Sequence, residues 1–314
     1  MEFRVMVEPQ QGATYEQQLR FALHAETCGF TGFFRSDHFL RIGPGDPAPG
    51  PTDLWVTLGA LARETSQIRL GAMVSSATFR LPGVLAVQVA QIDAMSAGRL
   101  EVGLGSGWFE PEHASYGIPF PNAAERRRRW EEQLAVLTGI WRTPPGESFS
   151  YHGEFYSLVD CPCLPRPIQR PHPPLVIGGK GPRRTPAIAA KYADEYNIAF
   201  DSLESEAVQF ARVRDACDAA GRPFDDIVYS VAVTTAVGFT DAGVNKRISG
   251  IGDNRERLDA GPGLVGTPAQ VIDRVGTYAE MGVTRMYLQM KDIEDLDQLS
   301  FIATEIMSRS HEMS

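Results

Sequence analysis

The sequence predicts an α/β protein of the (β/α)8 or TIM-barrel type, with a long insertion loop after the seventh strand and a small hairpin before the fifth. Three observations carry this reading. Short apolar runs alternate with helix-length segments along almost all of the 314 residues. No hairpin turn joins consecutive runs of that series, so the strands must be parallel with right-handed crossovers. Eight strand–helix units can be counted, the number that closes one barrel at this length. Residues 1–314 are therefore expected to form one domain.

Taken in order, Phe3 to Val7 is the first strand and ends at Glu8-Pro9-Gln10. Thr14 with Gln17 makes a capping box for a helix that Gly29 closes. Thr31 to Phe34 is the second strand and runs into Arg35-Ser-Asp-His38. After the Pro/Gly-rich segment Gly43 to Pro51, Thr52 or Asp53 caps the next helix. Ile68 to Val74 is the third strand and Ser75 to Arg80 its exit loop. Pro82 opens a helix through Met95, stopped by Gly98. Leu100 to Leu104 is the fourth strand, running into Gly105-Ser-Gly-Trp108. Asn122 caps a helix whose Trp130, Leu134, Leu137 and Trp141 share one face. Arg126 to Arg129 cannot all share a face and are read as a solvated collar. Phe149 to Leu158, with Gly153 at its centre, is the hairpin.

Leu175-Val-Ile177 is a fully apolar fifth strand, and Glu195 to Ile198 a short sixth. Glu204 to Ala220 is helical up to Gly221, and Ile227 to Ala236 is the seventh strand. Gly238 to Gly263 is long, aperiodic and rich in Gly, Asp and Arg, and is expected to be a loop serving as a lid. Thr267-Pro-Ala-Gln270 is a strong helix start. Val283 to Met290 is the eighth strand, and a closing helix runs to about Met307.

Composition bounds the function classes. Hydrophobic residues make up 43% and charged residues 22%, as in an ordinary soluble protein. The formal net charge of -9 argues against a nucleic-acid partner. No apolar run reaches the roughly 20 residues that span a membrane. With no basic-then-apolar start and only four cysteines, a cytoplasmic setting is expected. Cys161-Pro-Cys163 with His152 and His172 lacks a zinc spacing, so no metal is expected. No G-x-S-x-G elbow is present.

In a barrel the active site sits where the strands end. Those ends bring Glu8, Asp37-His38, Ser75-Ser76, Ser106-Gly107-Trp108, Gly178-Gly179-Lys180, Asn197 and Gln289 to one rim. Gly178, Gly179 and Gly181, between a strand and a helix start eased by Pro182, offer backbone N–H groups to a phosphate. Lys180, Arg183 and Arg184 add positive charge. A plain glycine-rich turn with solvated charges would have the same composition, and the stretch is neither a Walker loop nor a dinucleotide fingerprint. A lone histidine is more often structural than not. His38 at a strand exit, with Asp37 to fix its tautomer, is nevertheless the candidate proton carrier.

The stretch Asp93-Ala-Met-Ser-Ala-Gly-Arg-Leu-Glu-Val-Gly-Leu-Gly-Ser-Gly-Trp108, continuing to Phe120, resembles the central signature of the bacterial luciferase-like oxidoreductases. Pro174 to Asn197 is similar to that family's phosphate-binding strand and the strand after it. Phe34-Arg-Ser-Asp-His-Phe39 resembles the second-strand motif of its coenzyme F420-dependent branch. The resemblance implies F420, or alternatively FMN, with its ring over Met73, Val74, Ser75 and Ser76 and a non-proline cis peptide at Met73–Val74. It implies Asp37 and Ser76 at the ring or ribityl side, Ser106 and Gly107 at the ring edge, and the glycine cradle at the phosphate. It also implies a homodimer. Trp108 stands where some sugar-phosphate-oxidising relatives carry glutamate, which counts against that substrate. The leading reading is hydride transfer between F420 and a small organic substrate. The alternatives are an FMN-dependent monooxygenase using dioxygen, and a non-catalytic barrel retained as a binding protein for the coenzyme or an assembly partner.

Overall fold

The computed structural model describes residues 1–261 and 263–310. Pro262, inside the expected insertion loop, and residues 311–314 of the expected domain lie outside them. The strands are β1 (Glu2–Val7), β2 (Gly32–Arg35), β3 (Arg69–Ala72), its short continuation β4 (Ser75–Ser76) and β5 (Leu100–Gly105). β6 (Phe149–His152) and β7 (Ser157–Cys161) follow as the hairpin. Next come β8 (Leu175–Gly178), β9 (Glu195–Ala199), β10 (Val228–Val237), β11 (Gly263–Gly266) and β12 (Arg285–Gln289). β1, β2, β3, β5, β8, β9, β10 and β12 pair in parallel, and β12 returns to β1, closing the barrel. The expected fold is the observed one.

Local chemistry explains the helix ends. Gln17 Oε1 accepts the Thr14 N–H at 2.8 Å, Asp53 Oδ1 accepts that of Val56 at 3.0 Å, and Asn122 Oδ1 that of Glu125 at 3.0 Å. Trp130, Leu134, Leu137 and Trp141 are all buried, as their spacing predicts. The arginine run is a collar held by local contacts: Arg128 pairs with Glu154, Arg129 with Glu125, and Arg126 stacks 3.9 Å over Phe120.

The insertion is more ordered than its composition predicts. It holds helices Asp241–Gly250 and Arg255–Ala260, and β11 extends the sheet beside the outer half of β10. Val244, Ile248 and Leu258 pack on Ala236 in a small core of their own. Val244, Ile248 and Ile251 stand at helical spacing among glycines and charges, and Val244 and Ile248 find their surface on β10.

Inside the barrel the lower layer is ionic. Arg4 donates to Glu101 at 2.6 Å and to the Tyr287 hydroxyl at 3.2 Å. Arg69 also pairs with Glu101, and Arg285 pairs with Glu195 and Glu2. Each charge is paired, which buried ions require. Above them Met6, Phe34, Met73, Val176, Ala232 and Tyr287 form an apolar plug. The plug separates this ionic layer from the strand C-termini.

One buried carboxyl stands apart. Glu206, in the first turn of the helix Leu203–Ala220, is fully buried, and no side chain hydrogen-bonds its carboxylate. Burial, reinforced by the charge of Asp201, pushes its pKa from 4.5 up to about 8. Between those two values the folded state keeps a proton that the unfolded chain has lost, so stability falls as pH rises through that window. Glu206→Gln removes the titration. Thermal melts should place variant and parent close together near the lower limit and the variant higher by several degrees above the upper one, a gain on the order of a few kcal/mol. A difference independent of pH would show that Glu206 ionises freely.

Candidate active site

A cavity of about 1380 Å³ opens at the C-terminal ends of the barrel strands. Asp37, His38, Met73, Val74, Ser75, Ser76, Ser106, Gly107, Gly178, Gly179 and Lys180 line it; Gly181, Arg183 and Arg184 do not. Eleven residues singled out from sequence thus meet on one wall, and the three at the far end of the glycine stretch fall outside.

The third strand shapes that wall. Instead of running to Val74 as expected, β3 ends at Ala72, the Met73–Val74 peptide is cis as the resemblance implies, and pairing resumes at β4. Ser75 and Ser76, expected in a loop, sit opposite Leu104 and Gly105 of β5. The Val74 side chain lies where three glycines leave room. A Cβ on Gly105 would stand 2.9 Å from Val74 Cγ2, and one on Gly178 3.0 Å from Val74 Cγ1. A Cβ on Gly103 would also overlap the Ala72 carbonyl oxygen. At Gly107, with φ +76°, it would overlap Ser76 Oγ.

The polar groups pair differently from the sequence expectation. Asp37 does not orient His38. It is buried, accepts from Ser75 Oγ at 2.7 Å and is ion-paired with Arg80 at 2.6 Å, which also holds Asp53. Adjacent residues at a strand exit point to opposite sides, and the Asp37 carboxylate turns toward β4 and Arg80. The partner of His38 is Glu112: His38 Nδ1 lies 3.0 Å from Glu112 Oε1, and the Phe39 N–H donates to Glu112 Oε2 at 2.8 Å. Glu112 is buried on the short helix Glu110–Ser115, one turn and a half that carries no readable period. Its only trace in the sequence is acidic residues close behind the β5 glycines. With Nδ1 engaged, Nε2 is the nitrogen His38 has for a cavity occupant. Glu8, at the end of β1, also lines the cavity, and burial pushes its carboxyl pKa up, opposed by the charges of His38 and Lys291.

At the other end, Gly178 closes β8 and Gly179, at φ +125°, turns the chain. The Tyr196 hydroxyl donates to the Gly179 carbonyl at 2.9 Å and fixes the turn. The helix begins only at Arg184, so Pro182 stands before it and not in its first turn. The Gly181 N–H is already donated to Gln209 Oε1 at 3.2 Å, which removes it from the expected phosphate cradle. Lys180 pairs with Asp201 at 2.7 Å, and Arg184 lies 3.8 Å from Glu131 on the outer face. Among the described residues no three His, Cys, Asp or Glu side chains cluster as a metal site, and no helix is long and apolar enough to cross a membrane.

A family model described as luciferase-like monooxygenase matches residues 1–256. The chain belongs to the luciferase-like family. It is 35% identical over 197 residues to an FMNH2-dependent dimethylsulfone monooxygenase of Pseudomonas putida, covering 63% of this chain and 53% of that one. It is 34% identical over 214 residues to an F420-dependent glucose-6-phosphate dehydrogenase of Microbacterium testaceum, covering 67% of this chain and 60% of that one. The chain thus matches little more than half the length of these relatives. Among solved structures, the coenzyme F420-dependent tetrahydromethanopterin reductase from Methanopyrus kandleri superposes with a TM-score of 0.82 at 18% identity, covering 98% and 99% of the two chains. That likeness confirms the fold.

The luciferase-like wall carries its own stability test. The clash that a Gly105→Ala side chain would meet is with Val74 Cγ2, whereas Gly103→Ala meets backbone. Each substitution should lower the unfolding free energy read from urea titration by the ~1–3 kcal/mol typical of overpacking. Val74→Ala should restore the Gly105 variant and leave the Gly103 variant unrepaired. Equal rescue of both would mean that β3 can shift as a unit.

Proposed function

We propose that this luciferase-like barrel is an oxidoreductase transferring a hydride between coenzyme F420 and a small organic substrate. The observation that carries the reading is the His38–Glu112 pair on the cavity wall. A buried carboxylate on Nδ1 fixes the tautomer and leaves Nε2 to give or take the proton that accompanies a hydride. A deazaflavin, when bound, supplies the hydride chemistry itself. The residues suit such a group. The cavity exceeds the roughly 300–1,000 Å³ of ordinary ligand sites, so cofactor and substrate fit together. Val74 with Ser75 and Ser76 would support the ring side, Ser106 and Gly107 its edge, and Gly178 and Gly179 the phosphate, where Cβ-free backbone allows close approach.

One observation favours the second reading, an FMN-dependent monooxygenase. Arg183 and Arg184 lie outside the cavity and Gly181 is engaged, so the cradle serves a single phosphate and the mouth offers little dedicated charge to an oligoglutamate tail. Titration of the purified protein with F420 and FMN, followed by absorbance, is expected to show tighter binding of F420; the reverse order moves the enzyme to the monooxygenase class. His38→Ala and Glu112→Gln should each keep cofactor affinity and lower F420-coupled turnover by roughly a hundredfold or more. Turnover within twofold of the parent in both variants would return the pair to a structural role. A homodimer is also proposed from family resemblance, and sedimentation would show it.

A further inference from the structure

Of the four tryptophans, Trp55, Trp130 and Trp141 are buried, while Trp108 is 62% exposed and lines the cavity. It follows Gly107 at the exit of β5, and its indole meets the His38 ring edge-on, with centroids 5.8 Å apart and planes at 80°. Phe109 backs both rings, 5.2 Å from Trp108 and 6.0 Å from His38. Phe39 packs on Phe79 and Tyr116 in turn, so aromatic rings support Trp108 and His38, and Trp108 is the one of these aromatic residues that lines the cavity. Rings packed on one another have little freedom to turn away. A large apolar face held open beside a proton-carrying histidine is a ready platform for a flat ligand.

The charges of the cavity say what the ligand is not. Arg257 and Lys291 both pair with Asp253. Arg41 is taken up by the carbonyl oxygens of Gln11 and Pro44. Lys180 belongs to the phosphate end and holds Asp201. Arg80, behind Ser75, bridges Asp37 and Asp53. Among the described residues, then, each cation at the cavity is already engaged, and beside His38 stand Glu8 and aromatic rings. A phosphorylated or carboxylated substrate would have to draw one of these cations from its present contacts and would lie near Glu8 and Glu112, whereas an uncharged one meets the exposed indole without that cost.

We propose that Trp108 sets the substrate class: an uncharged molecule with a planar apolar body that lies on the exposed indole face and turns one carbonyl or hydroxyl oxygen toward His38 Nε2. The assignment rests on the hydride-transfer reading for what happens to that oxygen, but the recognition does not depend on which cofactor is bound.

The test is binding, read at the tryptophan. Protein labelled with 5-fluorotryptophan gives one fluorine signal per tryptophan, and the signal lost in Trp108→Phe identifies Trp108. Acetophenone, titrated into the millimolar range with cofactor bound, should shift that signal saturably and leave the three buried ones in place. Glucose 6-phosphate should not shift it. Trp108→Ala should weaken acetophenone at least tenfold, measured by ligand-observed NMR, with Trp108→Phe recovering most of the loss and cofactor affinity unchanged in both. Unchanged acetophenone affinity in Trp108→Ala, no shift of the Trp108 signal, or tighter binding of glucose 6-phosphate would each overturn the proposal. Running the titration with F420 and then with FMN separates the two readings. Stacking that survives with FMN as the preferred cofactor sinks the F420 assignment and keeps Trp108; preference for F420 without stacking does the reverse.

Discussion

The site depends first on a steric fit, the Val74 side chain lying across the mouth of the barrel over positions that have no Cβ. β3 stops at Ala72, the chain turns, and β4 pairs two residues onto β5. Between these the valine occupies the space above Gly103, Gly105 and Gly178, which come from two neighbouring strands. A side chain at Gly105 or Gly178 would crowd Val74, and one at Gly103 would first meet the Ala72 carbonyl that precedes it. Interiors are packed too closely to absorb such a shift locally. The glycines of β5 and β8 are therefore part of one arrangement with β3, and the wall of the cavity is defined by what those strands lack.

Electrostatics then divides the barrel by depth. The lower layer is a closed set of ion pairs, Arg4 with Glu101 and Arg285 with Glu195, each charge met by its opposite. The apolar plug above it keeps that network out of contact with the cavity. At the mouth the pairing is local: Asp37 with Arg80 behind the serines, Glu112 with His38 at the wall, Lys180 with Asp201 at the glycine end. This leaves the His38–Glu112 pair at one end and the Gly178–Gly179 turn at the other, with Val74, the serines and Gly107 between them.

Much of this was legible in the sequence, for a physical reason. The alternation of apolar runs and capped helices encodes the barrel, and a barrel places every strand exit on one rim. His38, Ser75, Ser106 and Gly178 could therefore be put on one surface without knowledge of any contact. Side-chain pairing was less legible. Asp37 adjoins His38 in sequence, but neighbouring residues leaving a strand diverge, and the carboxylate that reaches the imidazole comes from 74 positions further on. That long-range pair is set by where a short helix lands after β5. The insertion was misjudged because composition reports glycine and charge, while its small core of Val244, Ile248 and Leu258 exists only against β10. The partner of the Gly181 N–H was illegible for a similar reason, since Gln209 lies 28 positions on, in the helix Leu203–Ala220.

The insertion also bears on how the mouth closes. Asp253, on the turn between its two helices, receives Arg257 from its own segment and Lys291 from the segment after β12, at 3.1 Å. Asp253 holds its pKa down to about 2, chiefly through the Arg257 hydrogen bond, so it stays ionised across the physiological range. The contact with Lys291 ties the insertion to the barrel rim at this point, and the Asp253 side chain that makes it is only 4% exposed. The small core against β10 anchors the base of the insertion, Arg247 is ion-paired with Asp295 at 2.7 Å, and Phe239 packs edge-on against Phe301. The residues of the insertion that line the cavity, Gly250 to Asn254 with Arg257 and Leu258, therefore stand on a segment fixed to the barrel at several points, and they bound the occupant's space together with the wall built by Val74 and the glycines.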